Sequence, residues 1–500
     1  MSEAVGIVAA GLAAGALLDR SRRRAIWGLV ALALAIGLLV SDQWNSSQVE
    51  ALRDSVGLAL LLGLAGLAVV GGLAWLFLRL PAAFPVAVVL ALPFRVPLDL
   101  GGETANLLVP LYAVVAAGTV ALLFASRGVG TRGVAERPKP GRWAGAMVPL
   151  LALSVVLYAV GIIWSADPSR GLQDLCFFLI PFAVLFALVT EVEWDRRTLR
   201  LVFWVLVAQA LVCAAVGFGQ YLTRELFWNE AVIRSNDFHV YFRVNSLFWD
   251  PNLYGRYLAL VITVIVAVVA WTKNRRTALW LSAGALVLWF SLVTTFSQSS
   301  FLALIAGLAA VLALRWSVRA VLAGVAAAAV AGVALLAVGG ELVKLDFDRL
   351  NLQTGGRADL VTGGLEMFGD RPLAGYGSGS FSRSFREQVA GPDAPVTESH
   401  TEPVTVAAEA GLVGLVVYLA VIVSSMFALL AGARSSMPGL GRAGSGESPD
   451  RGPPVARAAV FGAYVGLLVH TVFYAGFLDD PATWVLLAIG YCLALRCRAT

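Results

Sequence analysis

Charge is scarce in this chain: Asp, Glu, Lys and Arg make up 14% of its 500 residues, where soluble globular proteins carry about 25%. Histidine is scarcer still, with three residues, His239, His400 and His470. The four cysteines, Cys176, Cys213, Cys492 and Cys497, fall within or at the ends of apolar runs and show no paired spacing. That pattern argues against a disulfide framework and against a zinc site, and it reads the cysteines as small core hydrophobes. No stretch carries two histidines at i and i+4, no carboxylates cluster with metal-ligand spacing, and no Ser-His-Asp order stands out. Chemistry without a metal or a cofactor is therefore expected.

What the chain has in quantity is apolar side chains, 59% of the total, with a mean hydropathy of +0.80. Soluble domains hold roughly 45–50%, so the composition is that of a polytopic membrane protein. The net charge of +5 comes from basic residues set in short clusters between apolar runs, as orientation signals are, and nucleic acid is not expected as a partner. At the N-terminus the apolar run precedes Arg20, Arg22, Arg23 and Arg24. A secretory signal has the reverse order, so this run is expected to stay as a membrane segment.

A spanning helix needs about 20 mostly apolar residues. Stretches near that length occur at 3–18, 25–41, 55–78, 82–95, 105–124, 143–163, 172–190, 201–219, 252–271, 278–294, 299–314, 320–339, 403–432, 458–475 and 482–496. The expected fold is an all-α, polytopic transmembrane helix bundle of about 13–15 segments, the first and fourth being short enough to be interfacial or re-entrant. Basic clusters stand at 20–24, 127–142, 196–200, 273–276, 315–319, 434–457 and 496–498. With all fifteen segments spanning, every cluster falls on one side, and that side is expected to be the cytoplasm. The chain would then lie in the cytoplasmic (inner) membrane with its N-terminus outside and its C-terminus cytosolic.

This topology divides the chain into three N-terminal segments (1–81), a membrane bundle (82–339) with an outer loop at 220–251, a large outer loop (340–402), and C-terminal segments (403–500) with a cytosolic linker at 433–457. The linker is Gly, Ser, Pro and charge, a flexible composition. Both outer loops mix aromatic and charged residues and are too long to be simple connections. All three histidines fall at or near the outer face, so chemistry is expected there.

In the larger loop, Leu360, Val361, Leu365 and Phe368 form nearly a helical stripe that stops at Asp370-Arg371-Pro372. A short amphipathic helix at the membrane surface is expected. Gly375, Gly377 and Gly379 follow, either to let backbone approach a ligand or only to make a tight return to the bilayer. At Glu398 to Tyr418 the polar run Ser399-His400-Thr401-Glu402-Pro403 leads into an apolar helix. Pro403 suits its first turn and Thr401 or Glu402 its cap, and a helix start offers free N–H groups to phosphate. Glu409, seven residues past Glu402 on the same face, would lie roughly 10 Å into the membrane. An ionisable group there is a functional candidate, the alternative being a carboxylate satisfied by a serine or arginine of a neighbouring helix. In the smaller loop, Arg243 precedes an Asp250-Pro251-Asn252 turn with Arg256 one helical turn beyond. Two guanidiniums at a membrane mouth suit a diphosphate, although Arg256 could equally snorkel. For His239 and His470 a polar helix contact or a surface position is the plainer reading, and Asp479-Asp480 reads as a solvated turn.

Together these stretches resemble the O-antigen ligase and O-antigen polymerase superfamily of bacterial membrane glycosyltransferases. The resemblance rests on Arg357 ahead of a short helix and on Pro372, Gly375, Gly377 and Phe381 in a Pro-x-x-Gly-x-Gly-x-x-x-Phe run. It also rests on His400, Glu409, Gly411 and Gly414 at the family spacing, with Thr401 in place of asparagine, and on Arg243 followed by Pro251 and Asn252. It covers residues 82 to 496. Ser297-Gln298-Ser299 departs from the family's Ser-Arg-Gly, which leaves Arg256 as a stand-in for a missing phosphate-contacting arginine.

The resemblance implies a polyprenyl-diphosphate-linked glycan donor at the outer leaflet, a glycan, lipid or protein acceptor, and an inverting, metal-independent displacement serving cell-envelope polysaccharide or lipopolysaccharide synthesis. Arg243, Arg357 and Arg256 or Arg371 would neutralise the departing diphosphate. His400 would accept or position the acceptor's proton, and Glu409 would orient His400 or line the cavity. Glu402, Gly375, Gly377 and Asn252 would complete the substrate site. A ligase and a polymerase are not separated by these residues. A transporter, the rival from another class, would need internal repeats or broken helices with charges at the membrane midplane.

Overall fold

A computed structural model describes residues 2–44, 54–94, 96–100, 103–125, 140–238, 241–317, 319, 357–391, 399–434 and 454–496. The expected segment at 320–339, the loop stretches 340–356 and 392–398, His239 and most of the linker at 433–457 lie outside the described residues.

Apolar runs become helices because a chain in lipid must satisfy its backbone groups internally. In order they are α1 (Ser2–Leu18), α2 (Arg23–Asp42), α3 (Val56–Arg79), α4 (Ala83–Ala91), α5 (Val109–Phe124), α6 (Arg142–Gly161), α7 (Pro168–Val189), α8 (Arg196–Thr223) and α9 (Glu230–Phe238). Then follow α10 (Pro251–Trp271), α11 (Arg275–Val293), α12 (Gln298–Arg315), α13 (Arg357–Asp370), α14 (Phe381–Phe385), α15 (Glu402–Arg434), α16 (Pro454–Phe473) and α17 (Pro481–Arg496). Among the described residues ten helices are long and apolar enough to cross a membrane, and α1, α5 and α17 are apolar but shorter. The protein is an all-α multi-pass bundle.

The fourth expected segment, 82–95, is the short one that its length allowed. Only the nine residues of α4 are helical, about 13 Å of rise, and the Leu90 carbonyl accepts from Gln209 Nε2 (2.9 Å) near the middle of α8. Pro93 and Pro97 disfavour helix beyond that point. The chain continues as the antiparallel hairpin β1 (Val96–Leu100) and β2 (Glu103–Leu107), with Val96 opposite Leu107. The hairpin also takes the first residues of the expected segment 105–124, whose helix starts at Val109.

Burial follows the sequence. From Ile180 to Val189 every residue of α7 is buried, as a helix apolar on all sides must be when it sits at a bundle's centre. By contrast Leu60, Leu61, Leu64 and Leu67 of α3 are exposed, the surface a membrane helix offers to lipid. Lipid tails give no hydrophobic drive between helices, so close packing of small residues does the joining. On α12 and α16 this is explicit: a Cβ on Gly466 would crowd the Ala303 carbonyl, and one on Gly307 would crowd the Gly462 carbonyl.

Two ends can be distinguished. At one, Arg24 pairs with Glu191, Arg20 Nη2 donates to the Tyr491 hydroxyl (2.7 Å), and Arg315 Nε donates to the Ala270 carbonyl (2.9 Å). At the other, the turn after α16 meets the starts of α10 and α15: Arg256 Nη1 donates to the Gly476 carbonyl (3.2 Å), and Glu402 accepts from Gly476 N–H (2.7 Å). All the sequence-selected site residues belong to this second end.

The short amphipathic helix is α13, but its inward face is not the expected stripe. Gly363, Gly364 and Met367 are buried with Leu360 packed beside them, while Leu365 is 52% exposed. Glycine lets α13 lie close to its neighbours: a Cβ on Gly364 would overlap Val404 of α15 and one on Gly363 would overlap Phe385 of α14.

Candidate active site

Three pieces of chain meet at this end. The first is the loop before α10. Asp250 caps α10 by accepting from Asn252 N–H (2.6 Å). The Asn252 side-chain oxygen then accepts from Arg243 Nη2 (3.1 Å), and Arg243 Nε donates to the Thr295 carbonyl (3.0 Å) between α11 and α12. Asn236 of α9 grips the Arg243 backbone at both N–H (2.9 Å) and carbonyl (3.0 Å). The guanidinium is thus half-buried and aimed, with Nη1 bonded to none of the described residues. Phe296, next to Thr295, sits at φ +50°, a left-handed conformation that is an outlier for an aromatic residue. Backbone strain of this sort persists only where surrounding contacts over-determine it.

The second and third pieces are the start of α13 and the approach to α15. His400 has φ +58° and is half-buried. Ser399 tightens the turn around it by accepting from Thr401 N–H (3.1 Å) and bonding the Thr405 hydroxyl (2.7 Å). The imidazole lies 5.9 Å from the Tyr474 ring, centroid to centroid. Burial chiefly, and then the positive charge of exposed Arg357, hold His400 below the ordinary imidazole value, with Asp250 pulling the other way. His400 is therefore favoured in its neutral, basic form, with Arg357 near it to bind an anion.

Glu409 is engaged by the glycine run. Its Oε2 accepts from Gly379 N–H (3.0 Å) and its Oε1 from Phe381 N–H (2.9 Å). Alongside, Tyr376 and Gly377 N–H donate to the Ala408 and Glu409 carbonyls (3.0 and 2.8 Å). At Gly411 the helix breaks, with φ +61° and ψ −158°. The N–H groups freed there are taken by the incoming loop, since Leu412 and Val413 donate to the Pro372 and Leu373 carbonyls (2.7 and 3.4 Å). Gly375 and Gly377 are buried at positive φ, and a Cβ at either would overlap backbone, of Glu409 and of Ser165 respectively. Close backbone contact accounts for both glycines.

Arg256 neither snorkels nor faces a ligand. It is 3% exposed and pairs with Asp480 at 2.6 Å. Asp480 is itself 8% exposed, which corrects the expectation of a solvated turn. Leaving one member of such a buried pair unpaired costs about 3–5 kcal/mol. Arg256→Met should therefore lower the thermal midpoint clearly, and Arg256→Met with Asp480→Leu should regain part of the loss; a midpoint unmoved by the single change would show the pair to be dispensable. Arg371 lies at the far end of α13 from Arg357, on the order of 20 Å away along the helix, and stacks over Tyr376 with its guanidinium carbon 4.4 Å from the ring centre. One diphosphate does not reach both arginines.

The structure thus sets Arg357 and Asp250 near His400 and ties Arg243 to Asn252 beside the Asp250 cap, gives Glu402 and Arg256 to the turn at Gly476, and gives Glu409, Gly375 and Gly377 to loop docking. Sequence reasoning missed Asn236, Thr295 and Asp480, and it passed over His470, which is fully buried with Nε2 within 3.2 Å of Ser299 Oγ and 3.3 Å of Ser300 Oγ. The polar run Thr294-Thr295-Phe296-Ser297-Gln298-Ser299-Ser300 between two apolar helices was the available signal. Residues 283–419 match a family model described as O-Antigen ligase. That stretch includes Arg357, His400 and Glu409 and leaves Arg243, Asn252 and Arg256 outside it. Among curated proteins no significant match was found.

Proposed function

Since residues 283–419 belong to the O-antigen ligase family, we propose that this multi-pass membrane protein transfers or polymerises a polyprenyl-diphosphate-linked glycan at the outer face of the cytoplasmic membrane. The observation that carries the reading is a half-buried His400 with Arg357 and Asp250 close enough to shift its titration, while Arg243 is held by Asn252 beside the Asp250 cap of α10. In the reaction the acceptor hydroxyl attacks the anomeric carbon from the face opposite the leaving group. The bond from that carbon to the diphosphate oxygen breaks, and the diphosphate departs with the electron pair. His400 takes the hydroxyl proton, and Arg243 with Arg357 stabilises the charge that develops on the diphosphate, commonly the largest contribution to such a barrier. Inversion at the anomeric carbon follows from a single displacement, and the step as written needs no metal.

The break in α15 at Gly411 is what a transporter would also have. Purified protein incubated with a polyprenyl-diphosphate glycan and candidate acceptors separates the two readings. Release of lipid diphosphate together with glycan growth or transfer is the expected result; no turnover with any acceptor would favour transport.

A further inference from the structure

A general base needs its ring oriented as well as placed. The torsion that turns an imidazole about its bond to Cβ has a broad well, so contacts must set the ring plane, most often a hydrogen bond from the second ring nitrogen to a carboxylate or a carbonyl. Among the described residues none hydrogen-bonds the His400 ring. Asp250, Glu402 and Glu409 are engaged elsewhere: Asp250 accepts from Asn252 N–H, Glu402 from Gly476 N–H, and Glu409 from the N–H groups of Gly379 and Phe381.

What the ring does have is Tyr474, in the turn after α16. The two ring centroids are 5.9 Å apart with their planes at 42°, inside the 4.5–7 Å range of paired aromatic rings. Tyr474 also meets a second imidazole, that of His470, at 5.7 Å and 62°. His470 is fully buried and held at Nε2 by the hydroxyls of Ser299 and Ser300 at the start of α12, so it is a rigid backing for the phenol ring. The backbone is fixed as well. Tyr474 N–H donates to the His470 carbonyl (2.9 Å), and Gly476, two residues on, is tied to α15 by Glu402 (2.7 Å) and to α10 by Arg256 (3.2 Å). Because Glu402 lies two residues past His400, the bond that anchors this turn also anchors the chain that carries the imidazole.

We propose that Tyr474 is a positioning residue for His400: its ring, backed by buried His470, sets the plane in which the imidazole meets the acceptor hydroxyl. The consequence for catalysis rests on the glycosyl-transfer reading, whereas the packing claim does not.

The test uses full-length protein in phosphatidylcholine nanodiscs and three variants. Tyr474→Leu and Tyr474→Met remove the ring, the second with a flexible chain that refills the space, and Tyr474→Phe keeps it. A reacting group misplaced by about 1 Å can cost on the order of a hundredfold, so both ring-free variants are expected to lower kcat roughly ten- to hundredfold with KM within about twofold of the parent. Tyr474→Phe should restore kcat to within about threefold. Thermal midpoints near the parent's separate these losses from misfolding. Diethyl pyrocarbonate, which acylates a neutral imidazole, reads the same ring without turnover. Carbethoxylation of His400, located by peptide mass spectrometry against an added histidine peptide, should run several-fold faster in the ring-free variants and at the parental rate in Tyr474→Phe. Parental kcat in the ring-free variants overturns the proposal, and so does a Tyr474→Phe as impaired as they are, which would assign the effect to the hydroxyl. If the parent itself shows no turnover, the transfer reading fails, and the carbethoxylation rates still decide whether Tyr474 holds the ring: equal rates in the parent and all three variants overturn that claim.

Discussion

His400→Ala is expected to lower glycan transfer by roughly a hundred- to ten-thousandfold, the range for loss of a general base, with protein level and thermal midpoint near those of the parent. Near-parental transfer would remove His400 from the mechanism. His400→Gly provides the internal control. The residue occupies φ +58°, where glycine is unstrained, so this variant should be equally inactive and at least as stable. The pH profile adds an independent reading. Burial and Arg357 hold the imidazole below its ordinary value, near 6.5 in unperturbed form. Turnover that needs the neutral ring should be flat above that pH and fall about tenfold per unit once the pH drops below the lowered value. Removing the charge of Arg357 as Arg357→Gln makes protonation easier and moves the acid limb to higher pH. Removing the opposing charge as Asp250→Asn moves it to lower pH. A limb that shifts in neither variant would mean that another group titrates.

Glu409→Ala should fail differently, losing transfer and stability together. The substitution leaves the N–H groups of Gly379 and Phe381 without their acceptor, at about 1–3 kcal/mol for each one left buried and unsatisfied. The segment from Pro372 to Phe385 should come away from α15, and limited proteolysis should cut there before it cuts the parent. Glu409→Gln keeps one acceptor oxygen and sets its amide nitrogen toward the other N–H, so an intermediate stability is expected. If that variant is as stable as the parent yet inactive, the carboxylate takes a direct part in the chemistry and its anchoring role is secondary.

Much of this molecule is legible locally. Apolar length marks the helices, and turn chemistry marks the start of α10 and the stop of α13 at Asp370. The Arg243 to Asn252 bond and the nearness of Arg357 to His400 join residues that their motifs also single out. What stayed hidden depends on partners remote in sequence. Arg256 shows the limit: its position one turn into a membrane helix fits snorkelling or phosphate binding, and only Asp480, more than two hundred residues away, decides the matter. Glu409 is similar, since a glutamate within an apolar helix advertises a buried charge without saying that two backbone N–H groups receive it. The nine-residue α4 is shorter than its apolar run because hydropathy measures polarity and takes no account of Pro93 and Pro97.

The break at Gly411 bears on how this protein can be re-engineered. Because Leu412 and Val413 complete their hydrogen bonding with carbonyls of the segment after α13, the loop that carries α13 does not end where the apolar helix α15 begins. A chimera that exchanges the loop at the membrane boundary would join two halves of one interlocked backbone. The smallest transplantable block runs from Arg357 through Val413, with Ser165 and Gly171 of the recipient retained as the surface it must fit.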